Sequence, residues 1–226
     1  GKINVFSFPE TSGSSGGGRS SSIRSRATPM ANTPAPVVAT LSSIQTNNQP
    51  IIEMSYGDGH VVAGTRDGGL LMWDLNADAM NTGTRASEIQ PVRKVRGHSK
   101  SVTTLTSLNT SCGVSGSGYC FASGGADGIV KVWDTRAERC CVLSIQAHPG
   151  NGGKATPTVT SLLSCPIDSH NDLNCLVSGG SDNLINIMDV RSGRGSNTSN
   201  PSGDNEYLLY SWNYHQNGVY SMCCPQ

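Results

Sequence analysis

The sequence predicts an all-β protein assembled from repeated four-stranded units, and three observations carry that expectation. The 226 residues include 27 Gly and only 14% charged residues, a turn-rich composition that breaks a chain into short strands. Three segments align without a gap: VVAGTRDGGLLMWDL from Val61, FASGGADGIVKVWDT from Phe121 and LVSGGSDNLINIMDV from Leu176. Each reads as an apolar strand ending in small residues, a turn of Asp-Gly or Asp-Asn, and an alternating strand closed by Trp-Asp or Met-Asp. Asp67, Asp127 and Asp182 stand 60 and 55 residues apart, as do Trp73, Trp133 and Met188, so the offsets inside the unit hold while the gaps between units vary.

This repeat resembles the WD40 family, whose blades are four-stranded sheets set radially in a β-propeller. The family's second marker, a Gly-His pair ahead of the unit, stands at Gly97-His98, with variants at Ala147-His148 and Tyr214-His215. The resemblance implies three full blades, at 51–96, 102–145 and 159–212. The first takes strands at 51–56, 60–65, 69–75 and 91–96; the second at 102–108, 119–124, 129–135 and 140–145. The third takes 159–164, 174–179, 184–190 and 207–212. Residues 1–8 alternate Ile3 and Val5 with Lys2 and Asn4 and read as the third strand of a partial blade whose outer strand returns at 37–41; 218–224 reads as the first strand of a further blade. A closed propeller carries roughly 4 to 8 blades. Three blades and two parts make an incomplete ring, so 1–226 is expected to be a fragment of one propeller, poorly soluble or oligomeric by itself.

His98, Ser123, Asp127 and Trp133 contain the ingredients of a Ser/His/Asp hydrolase, but no strained GxSxG nucleophile turn accompanies them. The resemblance implies a structural role instead. At the matching WD40 positions Asp, His, Ser and Trp form a buried hydrogen-bond chain that ties the loop before a blade to its tight turn, and a buried carboxylate persists only with such partners. Only the unit from Phe121 holds the full set. His148, Ser178 and Asp182 make a partial set with Met188 in place of the indole donor; Asp67 and Trp73 make another with Ala63 in place of the serine. Propeller hydrolases need acids, His or metal ligands on innermost strands, where this sequence offers only Glu53. No catalytic residue, cofactor or metal site is therefore expected. The run Pro149 to Ala155 hints at a phosphate cradle but fails the pattern at His148 and at Ala155.

Sixteen Lys+Arg against 16 Asp+Glu give no cationic surplus to draw nucleic acid or an acidic membrane, and no apolar run is long enough to span a bilayer. The eight cysteines include no CxxC and are expected as reduced, half-buried strand thiols, which favours an intracellular protein, cytoplasmic or nuclear. Residues 9–36, rich in Ser, Gly and Pro, are expected to form a disordered loop, where Ser22 and Ser25 beside Arg19, Arg24 and Arg26 suit phosphorylation.

In WD40 propellers the loops joining second to third strands, and outer strands to the next blade, share the top face. The resemblance places the insertions 9–36, 76–90, 109–118, 165–173 and 191–205 underneath and only 149–157 on top. Candidate top-face contacts are then Arg66, Ser99, Lys100, Ala126 and Ser181, beside the turn aspartates. The stretch FASGGADGIVKVWDTR, ending at Arg136, is also similar to the WDxR box of substrate receptors for cullin-4 ubiquitin ligases. LVSGGSDNLINIMDVR, ending at Arg191, repeats it with Met188 for Trp, while Thr135 departs from the box's usual aliphatic residue. This likeness implies Arg136 and Arg191 as bottom-rim contacts for the ligase adaptor. The expected function is a non-catalytic scaffold for protein–protein interaction. A cullin-4 substrate receptor is the alternative, and a propeller enzyme the rival from another class.

Overall fold

The computed structural model describes residues 2–6, 37–42, 49–75, 87–108, 119–150, 155–166, 174–190 and 207–223. β1 (Lys2–Phe6) and β2 (Val37–Ser42) pair antiparallel, with Ile3 opposite Leu41 and Val5 opposite Ala39. Next comes a four-stranded sheet of β3 (Ile51–Gly57), β4 (His60–Thr65) and β5 (Gly69–Asp74), completed after the detour of β6 (Ser87–Ile89) by β7 (Arg93–Arg96). A third sheet is formed by β8 (Val102–Ser107), β9 (Cys120–Gly125), β10 (Ile129–Asp134) and β11 (Cys141–Gln146). The fourth holds β12 (Val159–Pro166), β13 (Asn174–Gly180), β14 (Ile185–Asp189) and β15 (Leu208–Trp212). All pairs within these three sheets are antiparallel, and the described residues include no closed ring. The architecture is that of an incomplete propeller.

The sequence pattern explains the layering. Second strands are apolar and small on both faces, as a doubly covered strand must be, and every residue of β9 is buried. The outer strands β7 and β11 alternate more and less exposed residues, whereas β15, though it carries Leu208, Leu209, Tyr210 and Trp212, is exposed along its whole length. Between consecutive sheets the faces interlock: Val62, Leu70 and Met72 meet Val102, Phe121 and Trp133, and Val130, Val132 and Ile145 meet Val159, Leu176 and Met188. A small residue ahead of each tight turn sets this spacing. A Cβ on Gly64 would stand 2.5 Å from the Val102 side chain, one on Gly124 2.6 Å from Val159, and one on Gly179 2.7 Å from Val219. Each inner strand also carries a register shift at the same place, between Ile51 and Glu53, Val102 and Thr104, and Val159 and Ser161.

The structure departs from the sequence reading in three places. Residues 87–89, expected within a bottom-face loop, form β6, which runs parallel to β2 with Thr40 opposite Glu88 and so covers the outer edge of the first sheet. Residues 218–223 form no ladder, because no second strand lies beside them among the described residues; Val219 nonetheless docks, its N–H donating to Gly180 O at 3.0 Å. Cys120, expected as a reduced thiol, is disulfide-bonded, whereas Cys140, Cys141 and Cys223 are free thiols. The expectations for the loop 9–36 with Ser22 and Ser25, for Arg191, and for the insertions 109–118 and 191–205 lie outside the described residues.

Candidate functional site

The turn between β9 and β10 is closed by one continuous chain of side-chain hydrogen bonds. The Trp133 indole N–H donates to Ser123 Oγ at 2.8 Å, and Ser123 Oγ lies 2.7 Å from His98 Nε2. His98 Nδ1 lies 3.0 Å from Asp127 Oδ1. Trp133 and the acidic end leave one proton arrangement that satisfies every atom: the Ser123 hydroxyl donates to Nε2, and Nδ1–H donates to the carboxylate. Asp127 further accepts from the Ser99 amide at 2.9 Å, the Ser99 hydroxyl at 3.2 Å and the Ile129 amide at 3.3 Å. His98, Ser123, Asp127 and Trp133 are all buried. Burial pushes the His98 ring below its ordinary pKa, with Asp127 only partly opposing. Burial also works against the Asp127 carboxylate, but the Ser99 amide, His98 and the Ile129 amide outweigh it and hold its pKa below the usual carboxylate value.

The neighbouring turns carry parts of this chain. Between β13 and β14, His148 Nδ1 meets Asp182 at 2.9 and 3.0 Å and Nε2 meets Ser178 Oγ at 3.0 Å, but Met188 offers Ser178 no donor. Between β4 and β5, Asp67 accepts from the Thr65 hydroxyl at 2.5 Å, and this bond holds its pKa down. Trp73 is fully buried there and its Nε1 has no hydrogen-bond partner among the described residues, since Ala63 stands where Ser123 stands in the next sheet. The same side-chain shortage explains why sequence spacing alone identifies which sets are complete.

The candidate contact residues occupy two opposite rims. Arg66, Ser99, Lys100 and Ser181 are exposed at the turns and Ala126 is half-buried. Two of them also do structural work: Ser99 caps Asp127, and Ser181 Oγ accepts from the Thr158 amide at 2.9 Å. At the other rim Arg136 folds back on Asp134 in a two-pronged pair, with Nε 2.9 Å from Oδ1 and Nη2 2.8 Å from Oδ2. That fork fixes the guanidinium plane beside a 210 Å³ cleft between the second and third sheets, lined by His60, Val92 and Arg93 among others. Sequence reasoning missed Arg93, whose Nη1 donates to Ala137 O at 2.8 Å and bridges the two sheets. It also missed the ring column from His60 through Tyr119 and Phe121 to Trp133, with centroids 5.7, 5.7 and 6.0 Å apart. Alternation identifies these as strand residues but says nothing about which sheet they touch. Among the described residues no group of three or more His, Cys, Asp or Glu side chains is placed to hold a metal ion.

Residues 89–134 match the family described as WD domain, G-beta repeat, or WD40. A LEC14B protein of Lithospermum erythrorhizon is 26% identical over 163 residues, covering 72% of this chain; the chain spans 28% of that relative's length. Among solved structures, the computationally designed Ika4 protein aligns with a TM-score of 0.52 at 22% identity, over 82% of this chain and 86% of its own. The designed Ika8 protein gives 0.53 at 22%, over 85% and 44%. A chain of the Mitotic Checkpoint Complex gives 0.51 at 18%, over 77% and 40%. At these identities the structural likeness concerns the fold.

Proposed function

From the WD40 match at residues 89–134 and the stacked four-stranded sheets, we propose that the chain works as a non-catalytic scaffold that holds other proteins against its rigid rims. The observation that supports this most is the burial of the constellations with catalytic ingredients: the complete set at Ser123, and the partial set in which Ser178, also 0% exposed, meets His148. Ser123 is 0% exposed, its oxygen accepts from Trp133 and it lies within a hydrogen bond of His98. A nucleophile must reach a substrate carbonyl; this one is spent inside the sheet. Recognition then falls to shape and to the exposed turns. Crosslinking and affinity capture with the full chain is expected to recover a defined partner, and charge reversal at Arg66 and Lys100 to release it while the far-UV spectrum stays unchanged. Ester hydrolysis by the chain that disappears in Ser123→Ala would sink the non-catalytic reading.

A second reading has its own support in the Asp134–Arg136 fork, which presents an oriented guanidinium at the rim opposite the turns. On this reading the rim docks the adaptor of a cullin-4 ubiquitin ligase, with Arg191 as the neighbouring contact. The adaptor should co-purify with the full chain and be lost in Arg136→Ala combined with Arg191→Ala; no co-purification removes this reading and leaves the first. A cytoplasmic or nuclear setting goes with both, and the Cys120 disulfide is the feature that weighs against it. Mass spectrometry of the chain from its native compartment, with free thiols blocked at lysis, decides that point: a largely oxidised Cys120 excludes a reducing setting.

A further inference from the structure

The turn between β13 and β14 opens onto a cleft, and a single residue accounts for the difference from the turn before it. In the third sheet Asp127 Oδ2 accepts both the amide and the hydroxyl of Ser99, the residue after His98. The residue after His148 is Pro149, which has no backbone N–H and no hydroxyl. Asp182 therefore receives the His148 ring at 2.9 and 3.0 Å and the Leu184 amide at 3.2 Å, with no described residue in the place of Ser99. Its side chain is 15% exposed, against 6% for Asp127. Beside it lies a cleft of 650 Å³, walled by Pro149, Thr156 and Pro157 of the insertion on one side and by Ser181, Asp182 and Asn213 on the other. Asp182 is the one charged residue among the described residues that line it.

We infer that this cleft accepts a basic side chain, lysine or arginine, presented by a partner peptide, with Asp182 as its counter-charge. The inference rests on the scaffold reading above and supplies a chemistry for its partner. A carboxylate at the edge of water with an unfilled acceptor position favours a cation that can also donate hydrogen bonds. Lysine and arginine add an aliphatic stem, which the two prolines can flank while Ser181 and Asn213 meet the polar head. A neutral or acidic side chain of the same length gains none of the charge term. The corresponding position in the third sheet is closed to the same ligand, because Ser99 already occupies the outer oxygen of Asp127.

The test uses the full chain and needs no known partner. Titration with N-acetyl-arginine amide and with N-acetyl-lysine amide is followed through the backbone amides of Ser181 and Asp182 and the side-chain amide of Asn213 by NMR. Saturable shifts at these three residues are expected with either cation, and none with N-acetyl-norleucine amide or N-acetyl-glutamate amide. Pro149→Ser restores the two donors that Ser99 supplies in the third sheet and is expected to weaken cation binding by about tenfold. Asp182→Asn is expected to weaken it at least as much; Pro149→Ser keeps the test decisive if that variant folds poorly. Equal shifts from norleucine amide, no saturable shift at all, or unchanged affinity in Pro149→Ser would each overturn the assignment. Loss of binding in Lys154→Ala would also overturn it, by moving recognition to the insertion's own lysine. None of these failures touches the scaffold reading, which is decided by partner capture at Arg66 and Lys100.

Discussion

Four buried polar side chains at the third-sheet turn make an acid-sensitive lock. Burial first, with Asp127 opposing, holds His98 below its ordinary pKa of about 6.5. For such a base the unfolded chain takes up the proton first, so the stabilisation is complete above that value and drains away as pH falls through it. Asp127, held below its usual pKa, adds loss of the same sign at lower pH, when the carboxylate is protonated. The melting temperature of the full chain is therefore expected to fall between pH 7.5 and 5, and to fall less steeply in His98→Gln; an equal slope in that variant would remove His98 as the cause. The two tryptophans give a second, independent measure of the same lock. Trp133 donates to Ser123 whereas Trp73 Nε1 has no partner among the described residues, so Trp133→Phe should cost about 1 kcal/mol more than Trp73→Phe in urea unfolding. Equal costs would mean that the indole bond contributes nothing. These positions were legible because the repeat fixes residue type at fixed offsets. The contrast between Ser99 and Pro149 was not, since it acquires meaning only when a hydrogen bond to the turn carboxylate is seen in one sheet and missing in the next.

The inner strands carry a device that works between sheets. The register shift near the start of each one re-aims the residue within it. At that place Thr103 donates its hydroxyl to Gly124 O and to Val159 O of the following sheet, and Thr160 donates to Gly179 O and to Val219 O. The second sheet has Ile52 there, 45% exposed and unable to donate. Ile52→Thr should place a hydroxyl against Gly64 O and Val102 O and raise the unfolding free energy by about 1 kcal/mol; a variant less stable than the parent would show that the stitch is not transferable. Strand positions in the three full sheets could be read from alternation and turn residues because both signals are local. β6 could not, since three residues carry no period and their partner β2 lies far back in the chain, before the strands β3 to β5 of the second sheet. Segment 218–223 had the composition of a strand, yet strand structure is a property of a pair, and the described residues provide it no partner strand.

Stacked sheets bury one face against each neighbour, so the uncovered faces define how the molecule behaves as a whole. Met54 holds the position that Leu105 and Leu162 hold in the next two sheets; it is 48% exposed where they are 9% and 7%. At the other end of the stack Tyr210 is 64% and Trp212 46% exposed, opposite Ile187 and Ile185 on β14. The sequence has a formal net charge of +0, so no long-range repulsion opposes contact between such faces. The full chain is accordingly expected to bind a hydrophobic dye in its native state and to gain mass with concentration in light scattering. Met54→Lys combined with Tyr210→Lys puts a cation on each open face and should lower both signals together. A dye-silent parent of constant monomer mass would show that the faces are already covered, leaving the rims as the surfaces open to contact.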